Sequence, residues 1–280
     1  MHVRRAALLV VLLGALIAGL IIVKQHRHAG AVCDAGFTAW NARCFPNEEC
    51  PKPLVLVGRI CDAPDVRIDV PETTFVLGPS DWEAEGRVSP RTVHVAKFRI
   101  DAFEATIGHV QHATNDAARA ASGISIAEAA LICASRGGRL PTEDEWLVAA
   151  AGEKARRYPW GDTGAVCRRA AWGLSKGPCA EDADGPDTVG AHGSGDTPSG
   201  IHDLAGNVAE WVTTPGASDT DASDADASPA SPTSPTSHAI ARGGSYASSL
   251  ATELRTWERV ELPVSTKDPS IGFRCAYEAP

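Results

Sequence analysis

The sequence is short of positive charge. Lys and Arg number 26 against 35 Asp and Glu, leaving a formal charge of −9 and an isoelectric point near 5.5. A nucleic-acid footprint needs a basic face, so that class of partner is excluded. Tyr and Phe are scarce, at three and six, against seven Trp, 26 Gly and 19 Pro. That balance describes a loop-rich fold pinned by a few large indoles. No Cys-x-x-Cys knuckle with zinc-site spacing occurs, which removes the common structural zinc folds.

What the chain does carry begins with its N-terminus. Arg4 and Arg5 precede an apolar run from Ala6 to Val23, followed by Lys24-Gln25-His26-Arg27-His28. As a helix that run rises about 27 Å, enough to span a hydrocarbon core. Ala29-Gly30-Ala31 offers a small-x-small cleavage site, but the basic pentapeptide before it disfavours cleavage. Residues 1–31 therefore read as a single-pass signal anchor, with secretion after cleavage as the alternative. Either way the rest leaves the cytosol, for the periplasm or the exterior. Eight cysteines in an exported chain read as disulfides. Cys33, Cys44, Cys50 and Cys61 crowd into a collar over residues 32–66 and pair among themselves, with three connectivities open. Cys167 and Cys179 close a local loop; Cys133 and Cys275 complete the even count.

At 280 residues there is room for one large domain with additions, and residues 67–280 form it. Ile68, Val70, Phe75 and Leu77, then Thr92 to Val95 and Phe98 to Asp101, are strand-type residues around a loop at 78–90. Ser125 opens a helix with Glu128 as its capping-box partner; Ile126, Ala129, Ala130 and Cys133 give its buried stripe. Thr142 and Glu145 open a second, with Trp146, Ala149 and Ala150 inward and Gly152 as the stop. An irregular Gly-, Pro- and Asp-rich stretch runs to about residue 200. Residues 216–238 are low-complexity Ser, Asp, Ala, Pro and Thr, and read as a disordered insertion because they cannot bury enough apolar surface to offset ordering entropy. Residues 271–276 read as a terminal strand.

The stretch Asp203-Leu204-Ala205-Gly206-Asn207-Val208-Ala209-Glu210-Trp211 sets two carboxylates seven residues apart with Gly-Asn between. It reads either as a turn anchored by Trp211 or as an oxygen site for a hard cation.

Five motifs occur in order: Gly-Arg-Leu-Pro-Thr-Glu-x-Glu-Trp from Gly138, Tyr-Pro-Trp-Gly-Asp from Tyr158, Ala-Gly-Asn-Val-x-Glu-Trp from Ala205, Arg-Gly-Gly-Ser-Tyr from Arg242 and Gly-Phe-Arg-Cys-Ala from Gly272. Together they resemble the formylglycine-generating enzyme, or sulfatase-modifying factor, family, over roughly residues 67–276. The resemblance implies an α+β, irregular, loop-rich fold of the C-type-lectin-like kind with two main helices beside a twisted sheet. It also implies a bridge between Cys133 and Cys275, and a calcium site made by the side chains of Asp203 and Glu210 with the carbonyls of Gly206 and Val208. A second calcium site would draw on residues 170–186, where the resemblance leaves Asp184 as the one plausible ligand. The family's enzymes oxidise a sulfatase cysteine with copper held by two cysteines; the matching positions here are Ser248 and Glu253. A hydroxyl and a carboxylate are poor ligands for soft Cu(I), so no copper is expected.

Other constellations are weaker. His109-x-x-His112 with Glu104 upstream has the residue types of a two-His-one-carboxylate iron site, but such a pair on a short segment reads better as solvated surface. Ser248 as a nucleophile lacks a nearby base. Arg242 and Arg274 suit buried hydrogen bonding, and Trp146, Trp160 and Trp211 suit the core. Tyr246, Arg255 and Trp257, beyond the pocket positions, read as a possible ligand surface. Two functions follow. The first is a non-catalytic, calcium-stabilised, membrane-anchored module binding a protein, peptide or glycan of the cell envelope. The second is an enzyme of the wider family whose chemistry does not need the cysteine pair.

Overall fold

A computed structural model describes residues 37–40, 43–46, 50–57, 60–78, 86, 88–112, 116–214 and 238–280. The N-terminal apolar run, Cys33 and residues 216–237 of the low-complexity segment lie outside them. Among the described residues no helix is long and apolar enough to cross a membrane. The chain divides into two compact units, Met1–Pro51 with Leu56–Ile60, and Lys52–Val55 with Cys61–Pro280. In the first, β1 (Phe37–Trp40) pairs antiparallel with β2 (Arg43–Pro46). Two short strands follow, β3 (Val55–Val57) and β4 (Ile60–Asp62).

The larger unit begins with β5 (Arg67–Val70), β6 (Thr73–Leu77), β7 (Arg91–Val95) and β8 (Phe98–Asp101). Strict alternation puts Thr73, Phe75 and Leu77 of β6 inward, opposite Val93 and Val95 of the antiparallel β7. A five-residue helix, α1 (Ile107–Gln111), follows; its only local signal is the Thr106 hydroxyl, which accepts from the His109 N–H. The two expected helices are α2 (Ile126–Ser135) and α3 (Glu143–Ala151), each with a complete capping box. Both boxes satisfy N–H groups that an uncapped first turn leaves orphaned. Helix α3 is buried on nearly every side, from Glu143 to Ala151.

The C-terminal half supplies β9 (Ala209–Val212), β10 (His238–Arg242), β11 (Arg259–Pro263), β12 (Ile271–Gly272) and β13 (Ala276–Glu278). One sheet runs β11-β10-β9-β12, with β12 parallel to β9, and another runs β13-β8-β5. Two expectations change here. His238 belongs to β10, paired with Pro263, and not to the low-complexity insertion. The terminal strand is two strands, because residues 273–275 carry the chain from one sheet to the other. There the Phe273 carbonyl accepts from the Ala105 N–H and the Cys275 carbonyl from the Asp101 N–H. Apolar clusters flank that crossing: Trp146, Leu147, Phe98 and Ile100 on one side, Trp211, Phe273, Cys133 and Leu140 on the other.

Candidate functional site

The segment Ile201 to Val208 enters β9 through two residues in the left-handed region, Asp203 and Asn207, each at φ 55°, with Gly206 at φ 86° between them. Gly206 is required twice over: its φ suits glycine, and a Cβ there would strike the carbonyl oxygen of Ala171. The turn delivers Asp203, Asn207 and Glu210 into the interior, where Glu104 and Arg274 meet them. All five are buried, Arg274 completely.

Arg274 organises the site. Its Nε donates to Glu210 Oε2 at 2.8 Å and its Nη2 to Glu210 Oε1 at 2.7 Å. Nη2 also donates to the His202 carbonyl at 2.7 Å, and Nη1 to the carbonyls of Asp101 and Ala102 at 3.2 Å each. All five guanidinium N–H groups therefore have acceptors. The indole Nε1 of Trp146, on α3, donates to Glu210 Oε2 at 2.8 Å. Both Glu210 oxygens are thus committed to a bidentate, charge-assisted pair plus one indole, which is how a buried ion pair offsets its desolvation.

The other two acids are hydrogen-bonded, with no cation in contact among the described residues. Glu104 accepts from the Asn207 side-chain amide at 2.5 Å and the Val208 N–H at 3.1 Å. Burial, then the charges of Asp203 and Glu210, pushes its carboxyl well above the ordinary range. Asp203 accepts from the Gly190 N–H at 2.5 Å, and burial raises its carboxyl too. Nearby, His192 lies 3.3 Å from Asp187 and His202 lies 2.8 Å from Asp196, with His202 stacked on Phe103.

Calcium takes six to eight oxygens at about 2.3–2.6 Å. Of the expected donors, Glu210 faces a guanidinium and an indole N–H, and Asp203 accepts from the Gly190 N–H. Among the described residues no three Asp, Glu, His or Cys side chains converge to hold a metal. The iron constellation is not assembled either. His109 on α1 sits 3.9 Å from Asp62, His112 is the helix C-cap at φ 52°, and Glu104 is committed elsewhere. Asp184 is almost wholly exposed, 3.7 Å from Arg119.

The positions matching the copper cysteines do local structural work. Ser248 Oγ accepts from the Ser245 N–H at 3.0 Å, and Glu253 Oε2 from the Leu250 N–H at 3.2 Å. Each side chain closes its own turn. Tyr246, Arg255 and Trp257 are buried, with Arg255 5.7 Å over the Trp257 ring. The Tyr246 N–H donates to the Asn207 carbonyl, tying the loop to the acid site.

Arg242 is buried against Glu143 at the start of α3, and burial lowers its guanidinium from the usual arginine range. Bridges join Cys133 to Cys275 and Cys167 to Cys179, Cys50 and Cys61 are also disulfide-bonded, and no described cysteine is free. Such bridges belong to an oxidising, non-cytosolic compartment. Sequence reasoning missed the Trp146–Glu210–Arg274 linkage. The available signal was charge inside the motifs, since Glu210 and Arg274 are each flanked by residues that must be buried.

Residues 109–279 match the sulfatase-modifying factor enzyme 1-like domain, and the chain belongs to that family. It is 35% identical over 163 residues to the inactive C-alpha-formylglycine-generating enzyme 2 of Bos taurus, covering 55% of this chain and 48% of that protein. It is 34% identical over 170 residues to a hercynine oxygenase of Mycolicibacterium thermoresistibile, covering 56% of this chain and 36% of that one. The chain thus spans less than half the length of these relatives. The solved structure of Treponema denticola variable protein 1 superposes at TM-score 0.59 with 19% identity, covering 82% of this chain and all of that one, which establishes a shared fold.

Proposed function

We propose that this protein is a non-catalytic member of its family, held at the cell envelope by residues 6–23 and presenting its loop surface to a protein, peptide or glycan. The observation that carries this reading is the wiring of Ser248 and Glu253 into their own turns, where a copper oxidase would need two thiolates. Similarity to a relative described as inactive supports it. The buried acid site supports it too, because its donors and acceptors hold β9, α3 and the β8–α1 connection together.

The test uses the purified chain, loaded with copper or with iron and incubated with a cysteine-containing sulfatase peptide or with hercynine. No product above the metal-only control is expected, while cross-linking in envelope preparations should capture a saturable partner. A second reading, an enzyme of the wider family, is favoured by the similarity to a hercynine oxygenase. Metal-dependent turnover in either assay would establish that reading and overturn ours.

A further inference from the structure

We propose that the cleft beside the C-terminus of α3 binds a free apolar α-amino acid, its carboxylate on Arg156 and its ammonium toward Asp69 and Glu153. The cleft measures about 180 Å³ and is floored by the buried Val70, Val148 and Ala149. Arg156 lies on its wall, where Gly152 makes room for it: a Cβ at Gly152 would come within 2.5 Å of Nη1. The Arg156 Nε donates to the Pro159 carbonyl and its Nη2 to the Ala150 carbonyl, each at 3.1 Å. The second bond caps the last turn of α3, and the two together fix the guanidinium. They use two of its five N–H groups; Nη1, which solvent reaches, has no acceptor among the described residues.

The unanswered charge is what points to a ligand. Arg136, Arg139, Arg242 and Arg274 each meet a carboxylate in contact. Arg156 pairs with none among the described residues, and burial lowers its guanidinium from the usual arginine range, with the charge of Asp162 opposing that shift. A half-buried cation with open donors is matched by a carboxylate, which can take two N–H groups at once. Asp69 and Glu153 stand exposed on the rim of the same cleft. They repel a bare anion, and a phosphate dianion more strongly, whereas a zwitterion meets both signs of charge. The apolar floor takes the side chain. The volume suits one residue, being below the range of about 300–1,000 Å³ that larger ligands occupy. Neither Ser248 nor Glu253 lines this cleft, so the inference stands whether or not the domain is catalytic.

The test is equilibrium dialysis of radiolabelled leucine against the full chain. Saturable binding at millimolar concentration or below is expected, and no saturation by about 50 mM overturns the proposal. Leucinamide lacks the carboxylate and N-acetylleucine the ammonium, so each should compete at least roughly tenfold more weakly than leucine. Competition by N-acetylleucine equal to that by leucine would make a peptide C-terminus the ligand. Equal competition by inorganic phosphate would make the cleft an unselective anion site, and either result overturns the assignment. D69N/E153Q changes only exposed rim side chains and should weaken leucine binding several-fold with the melting temperature unmoved; unchanged binding counts against the proposal. Arg156→Gln should abolish binding, and a folded variant that still binds leucine overturns it. If that variant does not fold, the analogue series on the unmodified chain and the rim variant decide.

Discussion

The disulfides within the larger unit, Cys133–Cys275 and Cys167–Cys179, offer a direct test of what holds this loop-rich fold together. The Cys133–Cys275 bridge closes a separation of 142 residues, and Cys167–Cys179 closes one of 12. A cross-link stabilises mainly by restricting the unfolded chain, and the restriction grows with the logarithm of the loop. That logic assigns about 5 kcal/mol to the first bridge and about 3 kcal/mol to the second. Cys133 and Cys275 are fully buried, so replacing both by Ala also leaves a small void worth ~1 kcal/mol. C133A/C275A should then lose about 6 kcal/mol, close to the whole stability of a marginal domain. C167A/C179A should lose about half as much. Equilibrium urea unfolding of the two double variants, followed by tryptophan fluorescence, measures the difference. Both should unfold with a larger denaturant slope, because an uncrosslinked chain exposes more surface. Equal losses, or a larger loss from the short loop, would refute the chain-entropy reasoning for this fold.

Two further predictions concern buried polar groups. Trp146→Phe removes the indole donor to Glu210 and part of a buried ring, and should cost about 2–4 kcal/mol; an unchanged urea midpoint would mean that the hydrogen bond contributes nothing. Burial, followed by the nearby Asp101 carboxylate, pushes the Tyr277 hydroxyl up to about 12. An unfolded tyrosine ionises near 10, so stability is unaffected below about pH 10 and falls between there and about pH 12, where only the unfolded chain loses the proton. Ultraviolet titration of the native chain should show one tyrosine ionising near 12, a feature that Tyr277→Phe abolishes.

The parts of the fold legible in the sequence were those written in local chemistry. Ser125 with Glu128 and Thr142 with Glu145 announce helix starts within four residues, and both boxes are present. Alternation in Thr73 to Leu77 likewise needs no distant information. Helix α1 escaped because five residues give no periodicity to read, and its cap lacks a box partner. Tyr246, Arg255 and Trp257 are amphipathic side chains, all buried here, and whether such a residue faces inward depends on what packs above it, which the sequence does not state.

The acid site shows why a local motif cannot carry its own interpretation. Asp203, Gly206, Val208 and Glu210 keep a spacing compatible with an oxygen cage, and the turn they form has the backbone conformation that spacing suggests. What decides their chemistry lies elsewhere: Arg274 and Trp146 are each 64 residues from Glu210, and Glu104 is 103 residues from Asn207. A carboxylate has about four acceptor sites, and which groups fill those of Glu210 is set by tertiary structure and not by the local spacing. The same holds at Ser248 and Glu253, whose hydrogen bonds within the loop they occupy are not readable from residue type alone.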